Sequence, residues 1–367
     1  MKRIIKFVLS SIGVLLFLVV LVITGFWLKY NNVVDAVPQI SLNKHPGNYG
    51  KFVNTFIGTG GFPSWVCGFN FPGATVPFGM VRLSPETASL YTNTRGYSTS
   101  GYYYGDNKII GFSHTRLAGT GATDGGHFLF TPTTTSPDEI NFNEDYCHLF
   151  SHSDETAFPG YYSVKFEDEE IFCEFTTTER TGLHRYTYPP NSNRNIIFNI
   201  TNTIEYKKAE DGEITIVPDK NEIVGSVKTY GSFSGRYGGI KVYFVARFDK
   251  AFSNFGIWDG TKFTNNIKTA ASNKIIVSLS FDKNIQDQMV NMQIGISHVS
   301  IDNARLNLET EVGNNSFDEI LQKAIAKWED KLSIIKIDGS SDNDKVIFYS
   351  ALYRSFQMPT IFNDING

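Results

Sequence analysis

The residues best placed to do chemistry fall in two dense blocks, 53–86 and 100–126. The first contains Gly58-Thr59-Gly60-Gly61, a run almost free of side chains, so backbone N–H groups can approach a ligand closely. The same run also fits a tight hairpin turn. It does not fit a phosphate loop, because no Gly-Lys-Ser/Thr follows. The second block offers Tyr102, Tyr103 and Tyr104, whose rings can stack on a sugar and whose hydroxyls can bond its OH groups. It also offers His114, Arg116 and Asp124 within a glycine-rich loop. On residue type alone, His114 reads as a structural hydrogen-bonding group at least as readily as a ligand. At least one of the three tyrosines reads instead as a core or surface residue of an alternating strand.

The same blocks resemble the N-terminal domain of glycoside hydrolase family 92, the calcium-dependent exo-acting α-mannosidases. The match is carried by Asn54 to Gly61, Pro72 to Met80, Ser100 to Tyr104, Gly111 to Thr115 and Gly119 to Gly121. It runs over about residues 48 to 367, ending in FYSALYRSFQMPTIFNDING, residues 348–367. The resemblance implies a mainly β fold: an antiparallel β-sandwich followed by the first helices of an (α/α)6 toroid. It implies inverting removal of terminal α-linked mannose from glycans, N-glycans among them. Inversion needs a carboxylic acid and a carboxylate roughly 6.5–9.5 Å apart. By the resemblance both lie beyond Gly367, as do most Ca2+ ligands, so the chain is expected to continue and no catalytic or metal residue is assigned here. The expected substrate-binding set is Gly60, Gly61, Tyr102, Tyr104, His114, Arg116 and Asp124. One departure concerns Arg95 to Thr99, where many relatives carry a Trp against the sugar; Tyr97 or Trp65 is the substitute available here. A different class remains open, a non-catalytic carbohydrate-binding or scaffolding module. A related toroid glycosidase or phosphorylase fits the motif blocks less well.

Charge and length bound the other possibilities. Removing the first thirty residues leaves 29 basic against 37 acidic side chains, which argues against a nucleic-acid partner. Phe7 to Leu28 is uncharged and long enough to cross the roughly 30 Å hydrocarbon layer as a helix. Lys2, Arg3 and Lys6 precede it, so the positive-inside tendency places the folded part on the periplasmic or extracellular side. Trp27, Leu28, Lys29 and Tyr30 close the run where a cleaved signal would carry small residues, which favours an anchor over a signal segment. Cys67, Cys147 and Cys173 lack metal-ligand spacing; Cys147 and Cys173 could pair, or all three could be buried apolar groups.

These groups must be positioned by the elements around them. Residues 1–30 read as the membrane segment and 31–49, with Pro38, Pro46 and Gly47, as a linker. From 50 to 300, short Val/Ile/Phe/Tyr-rich segments at 161–166, 182–188, 195–199, 214–217, 239–248, 274–281 and 292–299 alternate with turn residues, the pattern of an antiparallel sandwich. Helical spacing takes over at 301–340, with Asn314, Asn315 or Ser316 as an N-cap before Phe317, Ile320, Leu321, Ala324, Ile325 and Trp328. A second helix, opening the toroid at 341–367, starts near Asp342 and Asp344. Its bundle partners lie elsewhere, so residues 348–362 are expected to be weakly packed.

Overall fold

The structure, a computed structural model, describes residues 1–35, 43–61, 67–88, 98–140, 146–259, 262–283, 287–339 and 341–367. Helix α1 spans Lys2–Asp35, and its stretch Ser10–Leu28 is long and apolar enough to cross a membrane, with none of it buried against the rest of the chain. Helix therefore continues into the first residues read as linker.

Among the described residues seventeen strands follow: β1 (Ala74–Thr75), β2 (Arg82–Ala88), β3 (Lys108–Ser113), β4 (Leu129–Thr133), β5 (His148–Phe158), β6 (Tyr161–Phe166), β7 (Phe172–Thr177), β8 (Thr181–Thr187), β9 (Arg194–Asn199), β10 (Ala209–Val217), β11 (Glu222–Thr229), β12 (Ile240–Phe248), β13 (Phe252–Asp259), β14 (Lys262–Asn265), β15 (Thr269–Ser272), β16 (Ile276–Phe281) and β17 (Met289–Ser297). Their pairings are antiparallel and form two sets. One runs β15-β10-β11-β12-β17-β8-β7-β6-β5. The other runs β14-β13-β16-β9-β4-β3-β2-β1. β5 joins them, since His148 and Leu149 at its start pair with β3.

Side chains from the two sets meet in one apolar core. Phe112 of β3 touches Phe175 of β7 at 4.2 Å between centroids, and Phe198 of β9 meets Phe244 of β12 at 5.1 Å. Each such ring taken from water contributes about 1.5–3 kcal/mol, which makes this core the main stabilising mass. Alternation along β12 sends Val242, Phe244, Ala246 and Phe248 into it, while Val245 faces the other way onto helix α2 (Ile301–Glu311). The helix rests directly on β17: a Cβ at Gly295 would lie 2.3 Å from the Ala304 carbonyl oxygen.

Helices α3 (Phe317–Leu332) and α4 (Asp342–Ser355) both begin with reciprocal capping boxes, Ser316 with Glu319 and Ser341 with Asp344. α4 is better packed than the sequence suggests. Tyr349 and Tyr353 are buried with Trp328 and Leu332 of α3 and with Val53, and Tyr49 and Phe52 close over Tyr349. Its partners among the described residues are α3 and the segment around 49–53. Cys147 and Cys173 are not joined by a disulfide, and Cys173 lies in the main core.

Candidate functional site

Arg116 is the hub on which the second motif block is built. It leaves β3 just after Ser113 and is only 3% exposed. Its Nη1 donates to the Pro85 and Ser100 carbonyls at 3.1 and 2.9 Å. Its Nη2 donates to the Ser84 and Ser113 carbonyls at 2.7 and 3.0 Å and to Ser113 Oγ at 2.7 Å. A planar fork of donors is suited to gathering several carbonyls at once. Burial lowers the Arg116 pKa to about 10, against the opposing pull of Glu86. Arg82, on β2, does the same work towards the C-terminal segment: Nη1 donates to the Arg116 carbonyl at 2.7 Å, and Nη2 reaches the Gln357 carbonyl, Thr360 Oγ1 and Met358 Sδ. Burial brings it too to about 10.

Behind Arg116 lies a chain of neutral imidazoles. His114 Nδ1 is 2.8 Å from the Phe128 carbonyl, its Nε2 is 2.8 Å from His184 Nε2, and His184 Nδ1 is 2.6 Å from the Tyr186 hydroxyl. A carbonyl only accepts, so His114 carries its hydrogen on Nδ1. Its Nε2 must then accept from His184 Nε2–H, which leaves His184 Nδ1 to accept from Tyr186. The run of donors has one direction and no room for another proton. Burial accordingly lowers the His114 pKa to about 3 and pushes His184 well below its usual value. Gly182 makes the space, since a Cβ there would stand 2.8 Å from His114 Cδ2.

In front of Arg116 is a cavity of about 220 Å³. Arg116, Asp124 and His127 form one side of it, Phe233 and Ser234 another, and His298, Thr360 and Phe362 a third. His127 is held between Thr115 Oγ1 at 2.5 Å and Thr229 Oγ1 at 2.6 Å, and burial lowers it to about 3, with His298 and His114 adding to the effect. His298 lies 5.3 Å from the Phe362 ring; burial lowers its pKa, and its Nδ1 is buried without a partner. Asp124 accepts from the Phe233 N–H at 2.7 Å and from the Ser234 hydroxyl, so its carboxylate caps the turn that carries Phe233 into the cavity wall.

The seven expected contact residues divide into three groups. Arg116 and Asp124 line the cavity. His114 and Tyr102 are corrections: both are 0% exposed and offer no surface to a ligand. Tyr102 donates to Glu155 at 3.0 Å, alongside Tyr162 at 2.6 Å and His152 at 2.8 Å. Tyr104 is buried as well, its ring stacked on His152 at 3.9 Å, so the face expected to take a sugar already has an occupant. Gly60 and Gly61 stand beside these tyrosines: Tyr103 donates to the Gly61 carbonyl at 2.6 Å, and a Cβ on Gly60 would meet Tyr104 Cβ at 3.0 Å. They remain partly exposed. Trp65 and Tyr97 lie outside the described residues. His127, Phe233, His298 and Phe362 went unread because they come from separate stretches with no shared motif.

Among the described residues no three His, Cys, Asp or Glu side chains converge as metal ligands. Asp364, in the segment beyond α4, accepts from Ser297 Oγ at 2.8 Å, Asn303 Nδ2 at 2.7 Å and Asn307 Nδ2 at 2.7 Å. Its oxygens, like those of Asp124, already serve N–H and O–H donors, so these residues do not fit a calcium site. Asp124 is also the one carboxylate among the described residues lining the cavity, and a lone, engaged carboxylate cannot act as an acid and base pair.

Comparison with known proteins gives the relatives of this arrangement. The glycosyl hydrolase family 92 N-terminal domain matches residues 52–297 and the glycosyl hydrolase family 92 catalytic domain matches residues 303–367. No curated protein matches. A family GH92 α-mannosidase from Bacteroides thetaiotaomicron superposes with a TM-score of 0.77 at 30% identity, over 88% of this chain and 43% of that one. The same mannosidase in complex with mannoimidazole gives 0.77 and 30%, over 88% and 41%. A family GH92 inverting mannosidase from Bacteroides thetaiotaomicron VPI-5482 gives 0.73 at 24%, over 88% and 41%, a likeness of fold. The chain thus spans less than half the length of these relatives.

Proposed function

The chain belongs to glycoside hydrolase family 92, and on that premise we propose that it is the N-terminal part of an inverting exo-α-mannosidase acting on terminal α-linked mannose, with N-glycans as the substrate class. In this reading the two strand sets are a β-sandwich, and 341–367 opens an (α/α)6 toroid. The acid, the base and the calcium ligands belong to residues other than these. α1 anchors the protein, with the folded part on the periplasmic or extracellular side.

The observation that carries the reading is the cavity where the strand domain meets the segment after α4. Its aromatic sides, Phe233 and Phe362, suit the apolar faces of a sugar ring, while Asp124 and His298 supply polar atoms for its hydroxyls. His114 supports this wall from behind, Arg116 lines it, and the Gly60-Gly61 turn beside the tyrosines is a separate candidate contact. A cavity with one engaged carboxylate also favours a second reading, in which these residues by themselves bind carbohydrate without turnover.

The test titrates the 367-residue chain with mannoimidazole, mannose and galactose while α-mannoside cleavage is followed with calcium present. Saturable binding of mannoimidazole, displaced by mannose and not by galactose, with no release of mannose, is expected. No binding at millimolar ligand overturns the cavity assignment, and release of mannose overturns the placing of the acid and base elsewhere.

A further inference from the structure

The stretch between α1 and the strand domain is fastened to α3 by a device that the sugar chemistry does not use. Glu329, near the end of α3, takes three successive backbone N–H groups: Oε2 accepts from Asn48 at 2.9 Å, and Oε1 accepts from Gly50 at 2.7 Å and from Tyr49 at 3.1 Å. Successive amides around one anion make a nest, here filled by a side chain of the protein itself. Two glycines make the fit possible. A Cβ at Gly47 would stand 2.1 Å from Glu329 Cδ, and one at Gly50 would stand 2.4 Å from the His45 ring.

The segment is locked at its start as well. Asn43 donates through Nδ2 to the Gly50 and Val53 carbonyls at 2.9 and 2.7 Å, and its N–H reaches the Lys51 carbonyl at 3.1 Å. His45 is 4% exposed, edge-on to Phe158 at 5.5 Å, and its Nδ1 accepts from the Gly47 N–H at 3.0 Å. That bond requires a neutral ring, as does burial, which lowers the His45 pKa against the pull of Glu329.

We propose that residues 43–50 are a fixed mooring, latched by Glu329, that holds the folded domain close to the lipid bilayer entered by α1. The proposal rests on the reading of α1 as a membrane anchor. Its consequence is a short leash. From Asp35, where α1 ends, to Asn43 the chain spans at most about 28 Å, taking about 3.5 Å per residue. With the latch open and His45 drawn off Phe158, the next hold is the packing of Tyr49 and Phe52 on Tyr349, and the reach grows to roughly 50 Å. The latch therefore decides whether the cavity works beside the membrane or swings away from it.

The test uses the full chain in vesicles of neutral phospholipid. Amide exchange is read at 48–50, together with energy transfer between a dye on the strand domain at Asp211, which is exposed, and a lipid-borne acceptor. In the unaltered protein these amides should be protected and the transfer high. Glu329→Gln should lower their protection by about tenfold or more and reduce the transfer, because the charged acceptor is lost. Gly47→Ala, which attacks the same latch from the strap side and leaves the sequence of α3 unchanged, should do the same. Unchanged protection and transfer in both variants overturn the latch. If the unaltered protein is freed from vesicles by an alkaline carbonate wash, the membrane reading falls and the mooring with it, whereas the exchange data still report the latch.

Discussion

Acidification should destabilise this fold through its buried imidazoles. His114 and His127 are 0% and 3% exposed, and burial lowers both to about 3, against about 6.5 in an unfolded chain. A group with a depressed folded pKa binds fewer protons when folded than when unfolded. For a histidine held neutral, stability is therefore full above pH 6.5 and is lost as pH falls towards 3. Between pH 7 and pH 5 each of the two removes about 2 kcal/mol, so the pair removes about 4 kcal/mol. His184 acts in the same direction, because it is buried and a proton added at its Nδ1 would face the Tyr186 hydroxyl that donates there. Against a typical total of about 5–15 kcal/mol this is a large share. Urea denaturation at fixed ionic strength across pH 5–7.5 measures it. His127→Gln, which keeps a donor and an acceptor near Thr115 and Thr229, should be less stable at pH 7 yet lose about 2 kcal/mol less on going to pH 5. A stability that stays flat to pH 5, or a variant whose pH slope equals that of the parent, refutes the reasoning.

Arg116→Lys keeps the charge but replaces a planar fork by one ammonium, and should cost about 2–4 kcal/mol by chemical denaturation; unchanged stability would mean the carbonyls around it are satisfied without it. Gly295→Ala should cost about 1–3 kcal/mol and lift α2 from β17, seen as faster exchange at 301–311; unaltered exchange there contradicts the close contact. Asp124→Ala should weaken mannoimidazole binding about tenfold, some 1.4 kcal/mol, and loosen the turn at 231–238. Normal affinity with a loosened turn makes Asp124 a cap alone.

The strands that could be read from sequence are those whose apolar pattern is undiluted. β6 matches its expected bounds, and β8, β9, β12, β16 and β17 lie within a few residues of theirs. β2 and β11 were hidden by polar residues that only tertiary partners satisfy. In β2, Arg82 is bonded to 357–360 and Glu86 to Asn202, and Pro85 sits in the strand. In β11, Glu222 is 1% exposed because Arg247 and Arg305 meet its carboxylate. α3 and α4 were legible through their apolar spacing and polar starts, Ser316 being one of the caps offered and Asp342 and Asp344 marking the second start; the reciprocal bonds of Glu319 and of Ser341 came only with the structure. For the site, a motif locates a residue in the chain and not the direction of its side chain. Arg116 and His114 are two positions apart, which strand alternation would put on one face; both lie beyond the end of β3, and the loop turn there decides which faces the cavity. It is the missing Cβ of Gly182, far along the chain, that leaves room for His114 to turn inward onto His184.

The cavity also depends on how the helical segment is held to the strands. Trp328 of α3 donates to the Thr75 carbonyl at 2.6 Å, and Arg354 of α4 donates to the Phe71 and Ile57 carbonyls at 2.9 and 3.2 Å and to that of Thr55. Arg82 and Asp364 complete the set from opposite sides of the junction. Arg82 and Asp364 are charged and buried and Arg354 is half-buried, and their partners are chiefly main-chain carbonyls, hydroxyls and amides. None of these contacts survives separation of the two parts, and each would then leave a charge or a donor unsatisfied, at a cost of about 1–3 kcal/mol or more apiece. Phe362 and Thr360, which form the outer side of the cavity, follow directly on this clamp. The cavity is therefore a property of the junction: the strand domain supplies Arg116, Asp124 and His127, and the docked helical segment gives them a second wall to face.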